Sequence, residues 1–156
     1  MKDMKSDNER IHLLSKKMKD IIMSQLTNTS LNGDPIQRYP GNINISFSCV
    51  EGESLMLALE NIALSSGSAC NSASLEPSYV LKALGMGPEM AHTSLRIGIG
   101  RFTTESEIDY SCKKIIASVN KLREMSPLWE LQQSGVEIGK VNWDNSCELN
   151  MLLKNK

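Results

Sequence analysis

Aromatic side chains are scarce in this sequence, which has two tryptophans, three tyrosines and two phenylalanines among 156 residues. Any core must therefore be packed mainly by aliphatic side chains, with nine methionines as adaptable fillers. Neither charge sign is in excess, since 17 basic and 18 acidic residues give a net charge of −1. This balance argues against a nucleic acid or an anionic lipid surface as the main partner.

Long apolar runs are also missing. No run approaches the roughly 18 residues that span a bilayer, and the charged start MKDMKSDNER lacks the apolar core of a signal peptide. We therefore expect a soluble chain without a membrane span or a targeting segment.

The four cysteines form no CxxC or CxH pair, which argues against a compact metal knuckle. Without a secretory signal, four free thiols in a reducing compartment are expected. Cys49 and Cys112 fall within apolar patterns and are predicted to be core thiols, whereas Cys147 lies in a polar tail with no base beside it. Cys70 remains as the candidate reactive thiol.

Cys70 lies in the run SSGSACNSASLEP, residues 65–77, whose small and hydroxylated residues are typical of an accessible loop. Pro77 is suited to the first turn of the helix that follows. A Cys-His hydrolase would need His92 to reach this loop, and the pattern favours a surface or helix-end position for His92 instead. The other histidine, His12, falls in the first predicted helix.

Hydrophobic periodicity predicts the remaining architecture. Spacings of three and four predict helices over about residues 4–26, 54–61, 77–84 and 128–131, and over a long segment opened by a capping box of Thr104 and Glu107. Alternation predicts strands over residues 43–49 and 95–101, with short extended pieces over residues 30–32 and 62–64, and residues 86–88 form a connector. Together these elements predict an α/β fold of the α+β type, in which a small sheet packs against helices. Residues 1–143 form the predicted domain, and residues 144–156 a flexible polar tail.

Arg96 points away from the apolar face of its predicted strand, because Leu95, Ile97 and Ile99 alternate with it. Gly98 and Gly100 leave its own face open. An arginine in this position can grip a carboxylate through two parallel hydrogen bonds. The pattern by itself favours the simpler alternative, in which Arg96 pairs with a nearby Asp or Glu.

Three segments carry a resemblance to a known family. They are SSGSACNSASLEPSYVLKALGMGPEMAHTSLRIGIGRFTTESEIDY (residues 65–110), NISFSCVEGES (residues 44–54) and SPLWEL (residues 126–131). The chain resembles the C-terminal, small domain of pyridoxal-phosphate-dependent cysteine desulfurases of the iron-sulfur cluster branch. The resemblance implies the small domain of an aminotransferase-like, fold type I enzyme.

The resemblance also implies roles for individual residues. Cys70 matches the cysteine that takes sulfur from L-cysteine as a persulfide, with release of alanine, and passes it to an iron-sulfur scaffold protein. Arg96 matches the arginine that binds the substrate carboxylate, so the resemblance reverses the preference for a structural ion pair. Leu128, Trp129 and Glu130 are implied as contacts of the scaffold protein, with packing of Trp129 onto its own domain as the alternative.

Family members are longer, and their large domain carries the lysine, histidine and aspartate that hold pyridoxal phosphate. Those segments have no counterpart here, and Lys82 matches a family position with no such role. We therefore expect this chain alone to bind no cofactor and to be an inactive fragment, which in the full enzyme meets its own large domain and a second subunit. The alternative is a stand-alone persulfide-relay or scaffold-binding module. The expected compartment is mitochondrial in a eukaryote and otherwise cytoplasmic.

Overall fold

A computed structural model describes residues 3–67 and 78–135 of the chain. The helices are α1 (Met4–Gln25), α2 (Gly52–Ala58), α3 (Tyr79–Ala83), α4 (Pro88–His92), α5 (Glu105–Glu124) and α6 (Pro127–Gln133). The strands are β1 (Thr29–Leu31), β2 (Asn42–Phe47), β3 (Ser65–Ser66) and β4 (Ser94–Gly98). They form one sheet in the order β1-β2-β4-β3, and every neighbouring pair is antiparallel. The predicted small sheet packed against helices is confirmed.

One face of the sheet and the two long helices build the core. Ile43 pairs with Ile97 and Ile45 with Leu95 across β2 and β4, and these side chains are buried. Each long helix packs a stripe of buried side chains against them. The stripe of α1 consists of Ile11, Leu14, Met18 and Ile22, and that of α5 of Ile108, Cys112, Ile115 and Val119. The apolar side chains that recur every two residues in the strands therefore pack against those that recur about every 3.6 residues in the helices, in a single layer.

The helix α5 begins as the sequence predicts. The Thr104 hydroxyl accepts a hydrogen bond from the Glu107 backbone N–H, and the Glu107 carboxylate accepts one from the Thr104 backbone N–H. The bond from the Thr104 backbone N–H and a bond that the Thr104 hydroxyl donates to the same carboxylate lower the pKa of Glu107. The capping box is therefore confirmed.

The strand β2 is shorter than predicted, because it ends at Phe47 and not at residue 49. Cys49 has a φ of 61°, which lies in the left-handed region and cannot continue a strand. The backbone N–H of Ser48 donates to the Asn28 carbonyl oxygen at 3.0 Å, and Asn28 is a second residue with a left-handed backbone. The prediction that Cys49 is buried is nevertheless confirmed, as is the burial of Cys112.

Three short elements differ from the predicted bounds. The strand predicted over residues 62–64 is wrong, since β3 occupies Ser65–Ser66 and residues 62 and 64 pack instead against the core. The helix α2 begins at Gly52 because the Glu51 carboxylate caps it, accepting from the backbone N–H groups of Glu53 and Ser54. The predicted connector at residues 86–88 overlaps the start of α4, a helix that the sequence analysis did not predict and that begins at Pro88.

No helix in residues 3–67 or 78–135 is long and apolar enough to cross a membrane. The same ranges contain no group of three or more His, Cys, Asp and Glu side chains arranged to hold a metal ion. Pro77, Cys147, the boundary at residue 143 and the tail lie outside the described residues.

Candidate active site

The second face of the sheet is polar and carries Arg96. The antiparallel register sets Asn44 and Ser65 on either side of Arg96, from β2 and β3 respectively, and it pairs Ser46 with Ser94. Because side chains alternate along a strand, all five residues lie on the face opposite the core. We call this surface the polar sheet face.

Arg96 is exposed, and its Nε donates a hydrogen bond to the Ser65 Oγ at 3.1 Å. The contact is with a hydroxyl. Within the described ranges Arg96 takes part in no ion pair, unlike Arg101, which meets Asp3 and Asp7 at 3.1 and 2.9 Å. The two terminal nitrogens of Arg96 are thus positioned at an open surface, in the fork geometry that suits a carboxylate.

Cys70 lies outside the described residues, but the chain just before it is anchored on β4. The Gly67 backbone N–H donates to the Ser94 carbonyl oxygen at 2.9 Å. A Cβ at Gly67 would collide with the Ser94 side chain and come within 3.0 Å of the Leu81 Cδ1, so a side chain would not fit there. At the other end, Ser78 is buried beside α3. Cys70 follows Gly67 by three residues, and three residues span at most about 11 Å.

A buried asparagine, Asn32, is bonded to two residues of the polar sheet face, and sequence reasoning missed it. The Asn32 Nδ2 donates to the Asn44 Oδ1 at 2.6 Å and to the Ser46 Oγ at 2.8 Å. The Asn32 Oδ1 is buried and has no hydrogen-bond partner among the residues that the structure describes. Arg38 supports the backbone on both sides, donating to the carbonyl oxygens of Asn32 and Asn42 at 3.3 and 2.9 Å. These bonds fix the strand that faces Arg96.

Neither histidine is placed as a general base by the described geometry. His92 is exposed at the end of α4, as the sequence analysis favoured, and His12 is exposed on α1. Cys112 is also unsuited to chemistry, since burial, followed by the nearby Asp109 charge, raises the pKa of its thiol to about 11.

Helix α6, which carries the three predicted partner contacts, is attached to the domain by Arg123. Arg123 is only 2% exposed, and its guanidinium donates to the carbonyl oxygens of Ser48 and Asn28, both at 3.1 Å. It also lies 4.2 Å from the centre of the Trp129 ring. Burial lowers the pKa of Arg123. Arg123 follows Val119 by four residues and so continues the buried stripe of α5, a signal that the sequence analysis missed.

The three predicted contacts differ in exposure. Trp129 packs onto Arg123 and is half-buried, so part of its ring surface remains exposed. Leu128 is half-buried, and Glu130 is exposed. Contact of these side chains with a scaffold protein stays a prediction.

The polar sheet face does not by itself supply the groups that pyridoxal phosphate needs. That cofactor requires a lysine amine for its imine and a charged partner for its pyridine nitrogen. The strand residues of this face, within the described part of the chain, include neither a lysine nor a carboxylate.

Comparison with known proteins gives consistent matches. A model of the aminotransferase class-V family matches residues 1–110. Over 141 residues, or 90% of the chain, it is 60% identical to a cysteine desulfurase IscS of Shewanella amazonensis, of which it covers 35%. Over the same share it is 58% identical to a protein of Arthroderma benhamiae named cysteine desulfurase, mitochondrial, of which it covers 28%.

A solved structure gives the same picture for the fold. A NifS-like protein from Rickettsia africae superposes with a TM-score of 0.62 at 19% identity, over 79% of this chain and 31% of that one. At this identity the likeness concerns the fold alone. The chain spans about a third of the length of the curated relatives it matches.

Proposed function

This chain belongs to the aminotransferase class-V family, and from that premise we propose that it is the C-terminal, small domain of a cysteine desulfurase that serves iron-sulfur cluster assembly. The observation that carries the proposal is the setting of Arg96. Its Nε is held by Ser65, its side chain is exposed, and Gly67, two residues after Ser65, is bonded to the same strand. In this proposal the Cys70 thiol reaches a substrate that Arg96 holds.

Arg96 binds the carboxylate of L-cysteine in this proposal. Two parallel N–H···O bonds fix both the position and the plane of a carboxylate, which a lysine ammonium cannot do. Holding the substrate at this end directs the rest of the molecule along the polar sheet face. The sulfur of the substrate is thereby presented to a thiol that approaches from the segment between Gly67 and Ser78.

Cys70 receives the sulfur. In the overall reaction, L-cysteine and the Cys70 thiol give L-alanine and a Cys70 persulfide. The carbon–sulfur bond of the substrate breaks, a sulfur–sulfur bond forms on Cys70, and a proton takes the place of sulfur on the substrate carbon. Atoms and electrons balance without an external oxidant or reductant. The attacking group is the thiolate, as in other thiol displacements.

Pyridoxal phosphate, when bound in the full enzyme, supplies the electron sink that weakens the carbon–sulfur bond. Because the polar sheet face lacks the groups that would hold it, the large domain of the same enzyme must provide that site. The compartment follows that of the relatives, mitochondrial in a eukaryote and cytoplasmic in a bacterium.

The persulfide is handed to an iron-sulfur scaffold protein at a surface that includes Leu128, Trp129 and Glu130. Support comes from the attachment of α6, because Arg123 fixes Trp129 while the helix keeps exposed positions. A preformed surface loses less conformational entropy when a partner docks.

The test compares Arg96→Gln with Arg101→Gln in the complete polypeptide reconstituted with pyridoxal phosphate. Both variants lose one exposed arginine, but Arg101 pairs with Asp3 and Asp7 away from the polar sheet face. Arg96→Gln is expected to raise KM for L-cysteine about 100-fold, because two charge-assisted hydrogen bonds are lost. Arg101→Gln is expected to stay close to the unmodified enzyme.

Two results would contradict the proposal. One is the absence of cysteine-dependent alanine release from the complete, cofactor-loaded polypeptide. The other is release of alanine by residues 1–156 alone, which would show that this chain is not a fragment of the active unit.

A further inference from the structure

Arg96 has one hydrogen-bond partner within the described ranges, and that partner belongs to the strand that leads into the Cys70 segment. Ser65 opens β3 and pairs with Arg96 across the antiparallel register. Its Oγ accepts the Arg96 Nε at 3.1 Å. Five residues after Ser65 the chain reaches Cys70.

This contact restricts an otherwise flexible side chain. An exposed arginine has many rotamers, and binding a ligand in one of them costs conformational entropy. A bond at Nε leaves both terminal nitrogens available, whereas a bond at a terminal nitrogen would occupy the fork itself. Ser65 therefore holds Arg96 in place without competing for a carboxylate.

The position of Ser65 is itself fixed. The next residue, Ser66, pairs with Leu95, which is fully buried, and Gly67 is bonded to the Ser94 carbonyl and packed against the Ser94 side chain. A hydroxyl mounted on this anchored strand can set the rotamer of the neighbouring arginine.

We propose that Ser65 is a positioning residue for Arg96, and that through it the strand leading to the Cys70 thiol also orients the carboxylate grip. The proposal rests on the proposed function of Arg96 and extends it to a residue that makes no contact with substrate.

The test uses three variants of the complete, cofactor-loaded enzyme. Ser65→Ala removes the hydroxyl, and Ser65→Thr keeps it on a β-branched residue that suits a strand. Ser66→Ala is the matched control, since it makes the same chemical change one residue along, where the side chain lies on the opposite face of the sheet.

Ser65→Ala is expected to raise KM for L-cysteine about three- to tenfold and to leave kcat nearly unchanged, because one partly exposed hydrogen bond to a charged group is lost. Calorimetric titration with L-alanine, which carries the carboxylate but no sulfur, is expected to show the same weakening in Kd. Ser65→Thr is expected to restore both quantities, and Ser66→Ala to leave both unchanged.

A purely structural role for Ser65 would lower the melting temperature and kcat while leaving Kd for L-alanine unaltered, and that outcome would overturn the proposal. So would equal effects of Ser65→Ala and Ser66→Ala. If instead the unmodified enzyme neither binds L-alanine nor consumes L-cysteine, the proposed function itself fails. The two failures are therefore distinguishable.

Discussion

Replacing Arg123 by methionine tests whether one buried guanidinium holds α6 and the turn at Ser48 to the rest of the domain. Methionine keeps the unbranched stem but has no N–H to donate. Arg123 is 2% exposed, and its guanidinium donates to two carbonyl oxygens at 3.1 Å and stacks 4.2 Å from the Trp129 ring centre. All three contacts are lost in Arg123→Met.

The magnitude follows from these contacts. Leaving the buried Ser48 carbonyl without a donor costs about 1–3 kcal/mol, and losing the half-buried bond to Asn28 about 0.5–1.5 kcal/mol. Loss of the stacking on Trp129 costs about 0.5–2 kcal/mol. The desolvation cost of the buried cation, which methionine avoids, offsets part of this loss. We expect the free energy of unfolding to fall by about 3 kcal/mol.

Urea unfolding followed by far-ultraviolet circular dichroism measures this change, with the slope of free energy against urea as a check on two-state behaviour. Lys121→Met is the matched control, because it removes an exposed cation from the same last turn of α5. Its expected effect is within about 0.5 kcal/mol. Arg123→Lys is expected to fall between the two, since an ammonium keeps the charge but cannot stack as a plane. An unfolding free energy for Arg123→Met within about 0.5 kcal/mol of the unmodified chain would refute the reasoning.

Two further predictions concern titratable groups. Burial raises the pKa of Glu51, but hydrogen bonds from Ser54 and Glu53 outweigh it and lower the pKa below 4.5. The stability that this cap contributes is therefore present above pH 4.5 and is lost as the pH falls through the lowered pKa. The urea midpoint should decline less steeply with falling pH in Glu51→Gln than in the unmodified protein. An equal decline in both proteins would contradict this assignment. Since the pKa of the buried Cys112 thiol is raised to about 11, iodoacetamide at pH 8 should modify Cys70 ahead of Cys112 and Cys49 in peptide mapping, and early labelling of Cys112 would contradict its burial.

The long elements could be predicted from the sequence, because each carries a repeated signal. Helix α1 was predicted over about residues 4–26 and occupies Met4–Gln25, and the capping box placed the start of α5. Alternation in β4 placed Leu95 and Ile97 in the core and Arg96 on the opposite face, as the structure confirms.

The elements that escaped prediction are short or depend on contacts distant in sequence. Two residues cannot display a period, so β3 was misplaced, and the five residues of α4 gave no helical pattern. Arg123 meets carbonyl groups 75 and 95 residues away, and the hydrogen bonds of Asn32 reach across 12 and 14 residues. No local pattern reveals such partners.

The site divides in the same way. The exposure of Arg96 follows from strand alternation, whereas its bond to Ser65 required the register of β3 against β4. The roles of Cys70 and Arg96 came from family resemblance and remain predictions. The structure describes the surroundings of Arg96, whereas Cys70 lies outside the described residues.

The most direct test of the account follows the sulfur atom. The complete, cofactor-loaded enzyme is incubated with L-cysteine labelled with a heavy sulfur isotope, and its peptides are analysed by mass spectrometry without reductant. The account predicts a gain of one labelled sulfur atom on Cys70, in step with alanine release, and retention of this gain in Cys147→Ser. Labelled sulfur on any other cysteine, or alanine release that persists undiminished in Cys70→Ser, would contradict it.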